Sequence, residues 1–247
     1  MPQANNEGLS IYYEVEGTGP PLVLLHGSFG SLDDWRDFGY VDALKGRHRL
    51  ILMDSRGHGK SGKPHDSSLY SLASRASDVI AVLDDLGIQK ADFMGYSMGG
   101  WIGFGLAQYA PDRFRSLVLG GAHPFQENMQ AFRAMLPKEP SAFLALLEPA
   151  FGVHLTPAMR ERVVTNDLDA LHALTLDRDD LSRVLPTMRM PCLLFAGSTD
   201  PRLPQIEECA QRMPNATFFS LMDCGHVAAL GRSDLVLPHL RVFLDQL

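Results

Sequence analysis

ADFMGYSMGGWIGFGLAQYA, residues 91–110, passes from a short apolar run to a longer helix-forming one with almost nothing between them. Residues 91–94, apolar but for Asp92, have the length and near-continuous hydrophobicity of a strand buried on both faces, and residues 99–110, stopped by Pro111, have those of a helix. Only Gly95-Tyr96-Ser97-Met98-Gly99 joins them. A reversal this tight forces Ser97 into strained backbone geometry, and glycines two positions before and after it let neighbouring backbone approach. The serine hydroxyl would project from the turn, beside a helix N-terminus that favours developing negative charge.

Further short apolar runs at 21–25, 50–53, 116–119, 192–196 and 217–221 alternate with longer amphipathic segments, the pattern of a parallel sheet flanked by helices. Their near-continuous hydrophobicity predicts burial on both faces. Residues 9–15 alternate polar with apolar side chains and predict an exposed edge strand or hairpin. Helices are expected at 69–86 and at 235–247, the latter with Pro238 in its first turn. The fold class is therefore α/β, with a mostly parallel sheet and helices on both faces. From 122 to 186 the strand-like runs vanish and Pro137, Pro140, Pro149 and Pro157 punctuate short helical pieces. Residues 122–186 thus read as an insertion into a core made of residues 1–121 and 187–247.

At 247 residues, 45% hydrophobic and 21% charged, the composition excludes disordered, collagen-like and coiled-coil chains. With 22 basic against 29 acidic residues the net charge is −7, and no two Lys or Arg residues are adjacent, so neither nucleic acid nor a membrane surface is expected as a partner. Cys192, Cys209 and Cys224 are odd in number and lack ligand spacing, which argues against a disulfide framework and a metal site. The first basic residue is Arg36 and the first apolar run is too short for a signal segment or a span; the expected location is a cytoplasmic one.

A serine hydroxyl becomes nucleophilic only with a general base in hydrogen-bond reach and a carboxylate to orient that base. His226 follows Gly225 just after the run at 217–221, on the same sheet edge as Ser97; His26, His58 and His123 also follow strands and are lesser competitors. Asp200 lies four residues past the run ending at Ala196, where parallel sheets place their sites. Asp223 is close to His226 in sequence but poorly placed for the ring nitrogen that faces away from the serine.

Four segments in order carry a resemblance to the α/β-hydrolase fold enzymes over nearly the whole chain: His26-Gly27-Ser28-Phe29-Gly30, Asp54 to Pro64, the Gly95 to Gly99 element, and Gly197 to Pro204. The resemblance implies a catalytic triad of Ser97, Asp200 and His226, and an oxyanion hole of the Ser28 and Met98 amides, with Phe29 replacing Ser28 if the loop is shifted by one. It makes residues 122–186 a compact helical cap. Phe29 and, from the cap, Phe125, Met129, Phe132, Phe143 and Leu147 are expected to line the substrate cleft. The chemistry implied is hydrolysis of a small-molecule carboxylic ester or lactone by acyl transfer, with no metal or organic cofactor. Length and cap resemble the small-esterase and enol-lactonase branch. Thioesterase, carbon–carbon bond hydrolase and cofactor-free perhydrolase chemistry share the triad, and a ligand-binding receptor is the non-enzyme alternative. After Gly225-His226, where many relatives continue to an acidic residue and Pro, this chain has Val227-Ala228-Ala229-Leu230-Gly231.

Overall fold

The computed structural model describes residues 2–136, 139, 142, 144, 145 and 155–247. Eight strands form one sheet: Gln3–Asn6 (β1), Leu9–Glu16 (β2), Pro21–Leu25 (β3), Arg49–Met53 (β4), Ala91–Tyr96 (β5), Phe114–Gly120 (β6), Cys192–Gly197 (β7) and Ala216–Leu221 (β8). Their spatial order is β1-β2-β4-β3-β5-β6-β7-β8. The pairs β1/β2 and β2/β4 are antiparallel and all others parallel.

The α-helices whose residues are all described are Asp34–Asp37 (α1), Tyr40–Leu44 (α2), Leu72–Asp85 (α3), Met98–Tyr109 (α4), Gln130–Met135 (α5), Pro157–Val164 (α6), Leu168–Leu174 (α7), Leu203–Arg212 (α8), His226–Gly231 (α9) and Ser233–Leu244 (α10). The alternation of side chains along a strand supplies two apolar layers. Val23 and Leu25 join the cluster holding Val79 of α3, Ile102 of α4 and Ile206 of α8. Leu22 and Leu24 join the one holding Tyr40 of α2 and Val236 and Leu240 of α10. Helices α5, α6 and α7 all lie between β6 and β7 in the chain.

Two expectations for the sheet margins are corrected. Of the two alternatives for residues 9–15, the hairpin holds and the edge strand does not: β1 pairs outside β2 through a two-residue turn at Glu7 and Gly8, both at positive φ. Four mostly polar residues gave no signal of that strand. At the other margin, 217–221 is not buried on both faces. As the outermost strand, β8 exposes Thr217 and Ser220 and half-buries Phe218 and Phe219. Helix α3 begins at Leu72 rather than 69 because Ser71 caps it, its hydroxyl accepting from the Ser74 amide at 3.1 Å, while Ser67–Tyr70 forms a separate 3-10 turn. Pro238 falls in the interior of α10, not its first turn.

The strand order reverses between β3 and β5, which are neighbours although β4 lies on the far side of β3. Loops leaving the carboxyl ends of strands at such a switch point diverge and leave a crevice. The loop after β3 begins with His26, and the turn after β5 holds Ser97.

Candidate active site

Ser97 stands at φ 52°, ψ −109°, between β5 and α4. The glycines beside it are demanded by contact: a Cβ on Gly95 would lie 2.3 Å from the Gly99 carbonyl oxygen, and one on Gly99 would lie 2.2 Å from that of Leu25. The His226 ring, supplied by the first residue of α9, reaches Ser97 from the far end of the chain. Ser97 Oγ donates to His226 Nε2 at 2.8 Å, and His226 Nδ1 donates to Asp200 Oδ2 at 2.7 Å. Asp200 is buried, and its other carboxylate oxygen accepts from the Arg202 amide at 2.9 Å. Burial works to raise the Asp200 carboxyl, yet the hydrogen bond and charge of His226, with the Arg202 amide and guanidinium, outweigh it and hold the group below its ordinary value. Asp223 lies at φ 57° with its amide donating to Ser198 Oγ. The structure thus brings Ser97, His226 and Asp200 together and sets Asp223 elsewhere.

The loop after β3 backs onto the elbow, so that a Cβ on Gly27 would be 3.3 Å from that of Ser97. His26 is buried, and burial pushes its imidazole below the usual histidine value, against the pull of Asp54. In the neutral form its Nδ1 donates to the Gly27 carbonyl at 2.7 Å and its Nε2 accepts from the Ser55 amide at 3.1 Å. His58 is likewise driven well below its ordinary value by burial, and its Nε2 accepts from the Phe29 amide at 3.3 Å. The Phe29 N–H is therefore engaged. Among the described residues, the Ser28 and Met98 amides have no protein acceptor. Asp54 binds the Leu32 and Lys60 amides, both at 2.8 Å, and Arg56 grips Asp78 with two bonds of 2.6 Å. These groups build the loops around Ser97.

A pocket of about 260 Å³ opens over Ser97 and His226. Phe29, Met129 and Phe132 line it as expected from the sequence, Phe29 stacking on Phe132 with ring centroids 5.5 Å apart. Phe125 does not: it packs against the His123 ring and under the Arg212 guanidinium. Phe143 and Leu147 lie outside the described residues. The walls also include Leu155, Met159 and Val163, and the polar groups Asp34, Arg162, Arg178 and Arg202. None of these four carried a sequence signal, because their role depends on long-range packing and not on spacing. Tyr96, between Gly95 and Ser97, donates from its hydroxyl to the His226 carbonyl. Burial lifts the Asp34 carboxyl to about 7, against the pull of Arg162. Elsewhere, ligand atoms of His65, Asp167 and Asp169 lie within 4.8 Å of one another on the surface, but Asp167 already caps α7 and pairs with His65, and none of the three lines the pocket. Among the described residues no helix is long and apolar enough to cross a membrane.

The family model for the alpha/beta hydrolase fold matches residues 20–170. A protein of Azorhizobium caulinodans provisionally named carbamate hydrolase RutD is 40% identical over 119 residues, 48% of this chain and 43% of that one. The chain thus spans less than half the length of that relative. The cis-3-alkyl-4-alkyloxetan-2-one decarboxylase of Shewanella oneidensis is 28% identical over 98% of this chain and 87% of its own. Among solved structures, the enol-lactonase from Burkholderia xenovorans LB400 superposes with a TM-score of 0.81 at 27% identity, covering 99% of this chain and 100% of that one.

Proposed function

The chain belongs to the α/β hydrolase fold family, and from that premise we propose that it is a serine hydrolase cleaving a small carboxylic ester or lactone. The observation that carries this reading is the unbroken relay Ser97 Oγ to His226 Nε2 at 2.8 Å and His226 Nδ1 to Asp200 Oδ2 at 2.7 Å, at the floor of a largely apolar pocket. Ser97 attacks the carbonyl carbon while His226 takes its proton, and Asp200 holds the ring and balances the imidazolium charge. The developing oxyanion is received by the Ser28 and Met98 amides, each contributing about 3 kcal/mol or more to lowering the barrier. The alcohol leaves with the proton from His226, and water repeats the cycle to release the acid and restore Ser97. Residues 122–186 act as a cap, of which Met129, Phe132, Leu155, Met159 and Val163 supply apolar wall for the acyl group.

The likeness to the enol-lactonase and the oxetan-2-one ring in the name of the Shewanella relative both favour cyclic esters among the candidate substrates. That relative is named a decarboxylase, so a lyase reaction on a lactone, without an acyl-enzyme, is the second reading. Hydrolysis of p-nitrophenyl butyrate should be abolished by Ser97→Ala, and quenched turnover should trap an acyl group on Ser97 by mass spectrometry. Product formation from a lactone with no trapped acyl adduct would favour the lyase. Ligand binding with no turnover of any ester or lactone would mean a receptor.

A further inference from the structure

A second cavity of about 20 Å³, lined by Ser28 and Met98 among others, adjoins the main pocket, and Ser28, Met129, Phe132 and Arg178 wall both. Of its other lining residues Arg75 is cationic and Trp101 carries an indole N–H, while the Thr175 hydroxyl is committed to the Leu171 carbonyl at 2.7 Å. Arg75 is buried and lies with its guanidinium 5.6 Å from the Trp101 ring centroid, and that of Arg178 lies 4.8 Å from it. Trp101 is buried too, and its indole N–H has no partner among the described residues. Compensating negative charge is short. Arg75 donates to the Tyr70 and Leu174 carbonyls and the Met98 sulfur, and to no carboxylate. Arg178 shares the single carboxylate of Glu127 with Arg202, and both oxygens of Glu127 are taken. Burial pushes Arg75 down to about 9 and Arg178 down to about 10, each lowered further by a neighbouring guanidinium. Buried cations in excess of buried anions are costly until an anion joins them.

We propose that this cavity is an anion subsite in which Arg178, backed by Arg75 and the Trp101 N–H, receives a carboxylate borne by the acyl half of the substrate. The acyl half is implicated because the cavity abuts the two residues whose amides would hold the oxyanion of the acyl carbon. The volume admits one small group such as a carboxylate oxygen entering from the shared wall, not a second apolar chain. The inference rests on the ester hydrolase reading and narrows it to substrates that carry a negative charge.

The test compares mono-p-nitrophenyl esters of succinic, glutaric and adipic acid with p-nitrophenyl butyrate, valerate and hexanoate on the full-length protein. The best hemiester should exceed its neutral counterpart by about tenfold or more in kcat/KM, chiefly through KM. In Arg178→Met that ratio should fall to about one whatever the absolute rates, and Arg178→Lys should keep part of it. A ratio near one in the native protein, with chloride or acetate inhibiting the neutral esters in native protein but not in Arg178→Met, would assign the subsite to a free anion instead. No charge preference and no anion inhibition would overturn it, as would a preference untouched by Arg178→Met. Should no ester be turned over at all, the hydrolase reading fails by itself, and the subsite is still judged by whether acetate raises the melting temperature of native protein but not of Arg178→Met.

Discussion

At Asp200 two demands meet: the carboxylate must be buried to hold the His226 ring, and it must stay ionised while buried. The bonds from His226 and the Arg202 amide accomplish this. An asparagine there would offer its amide N–H to Nδ1 and so favour the tautomer that leaves Nε2 protonated and unable to accept from Ser97. Asp200→Asn should therefore lower kcat by about 10⁴-fold while circular dichroism and melting temperature stay near native values. Asp223→Asn, whose side chain has no part in this chain of bonds, should change kcat by less than about threefold; if it costs as much as Asp200→Asn, the acid has been misassigned. Tyr96 presents a subtler case. Its hydroxyl holds the backbone of His226 rather than the ring, so Tyr96→Phe should leave folding intact and reduce kcat by about tenfold with KM little changed, the mark of lost orientation. A change in KM alone would instead mark Tyr96 as a pocket wall.

The elbow is an element whose geometry depends on what is missing from it. At Gly99 the atom that an added Cβ would strike is the Leu25 carbonyl oxygen, part of the central strand β3, so neither side can yield without moving the sheet. Gly99→Ala should lower the melting temperature by about 5 °C or more, whereas Gly46→Ala, with nothing within 4 Å of the new methyl, should stay within about 2 °C. Equal effects in calorimetry would show that the elbow tolerates the methyl by local adjustment. Such an element is legible in sequence because the constraint is local: Gly95, Ser97 and Gly99 are spaced by the turn itself, and residues 91–94 lie within β5 as read from apolarity alone. The same holds for β3, whose bounds match the apolar run at 21–25. Helix α8 was not expected, although Leu203, Ile206 and Ala210 recur at helical spacing with Cys209 beside them and mark an apolar face. Strand β1 is defined by its pairing partner rather than by its own four residues.

Across the whole molecule, what the sequence hides is what the fold assembles from distant places. Asp34, Arg162, Arg178 and Arg202 converge on one pocket from α1, α6, the segment before β7 and the loop before α8, and no spacing connects them. Arg162 of α6 pairs with Asp37 of α1, and the Asn166 amide donates to the Phe29 carbonyl at 3.0 Å, so the region between β6 and β7 is pinned to the loop beside Ser97. The Asp34 carboxyl lines the pocket beside this junction and links global stability to pH. The unfolded chain releases the Asp34 proton near 3.8, but the folded protein retains it to about 7. Between those values the unfolded state binds fewer protons at this group than the folded one. The contribution of Asp34 to stability is therefore fully present below pH 4 and is lost as pH rises to about 7, staying constant above that. An amide cannot ionise and escapes this cost. Asp34→Asn should thus melt higher than native protein by about 3–6 °C at pH 8, a value discounted for the solvent that reaches the carboxyl through the pocket, and the difference should shrink steadily toward pH 4. A difference independent of pH would mean that the substitution acts through packing, and one that grew toward low pH would show that the folded protein holds Asp34 ionised.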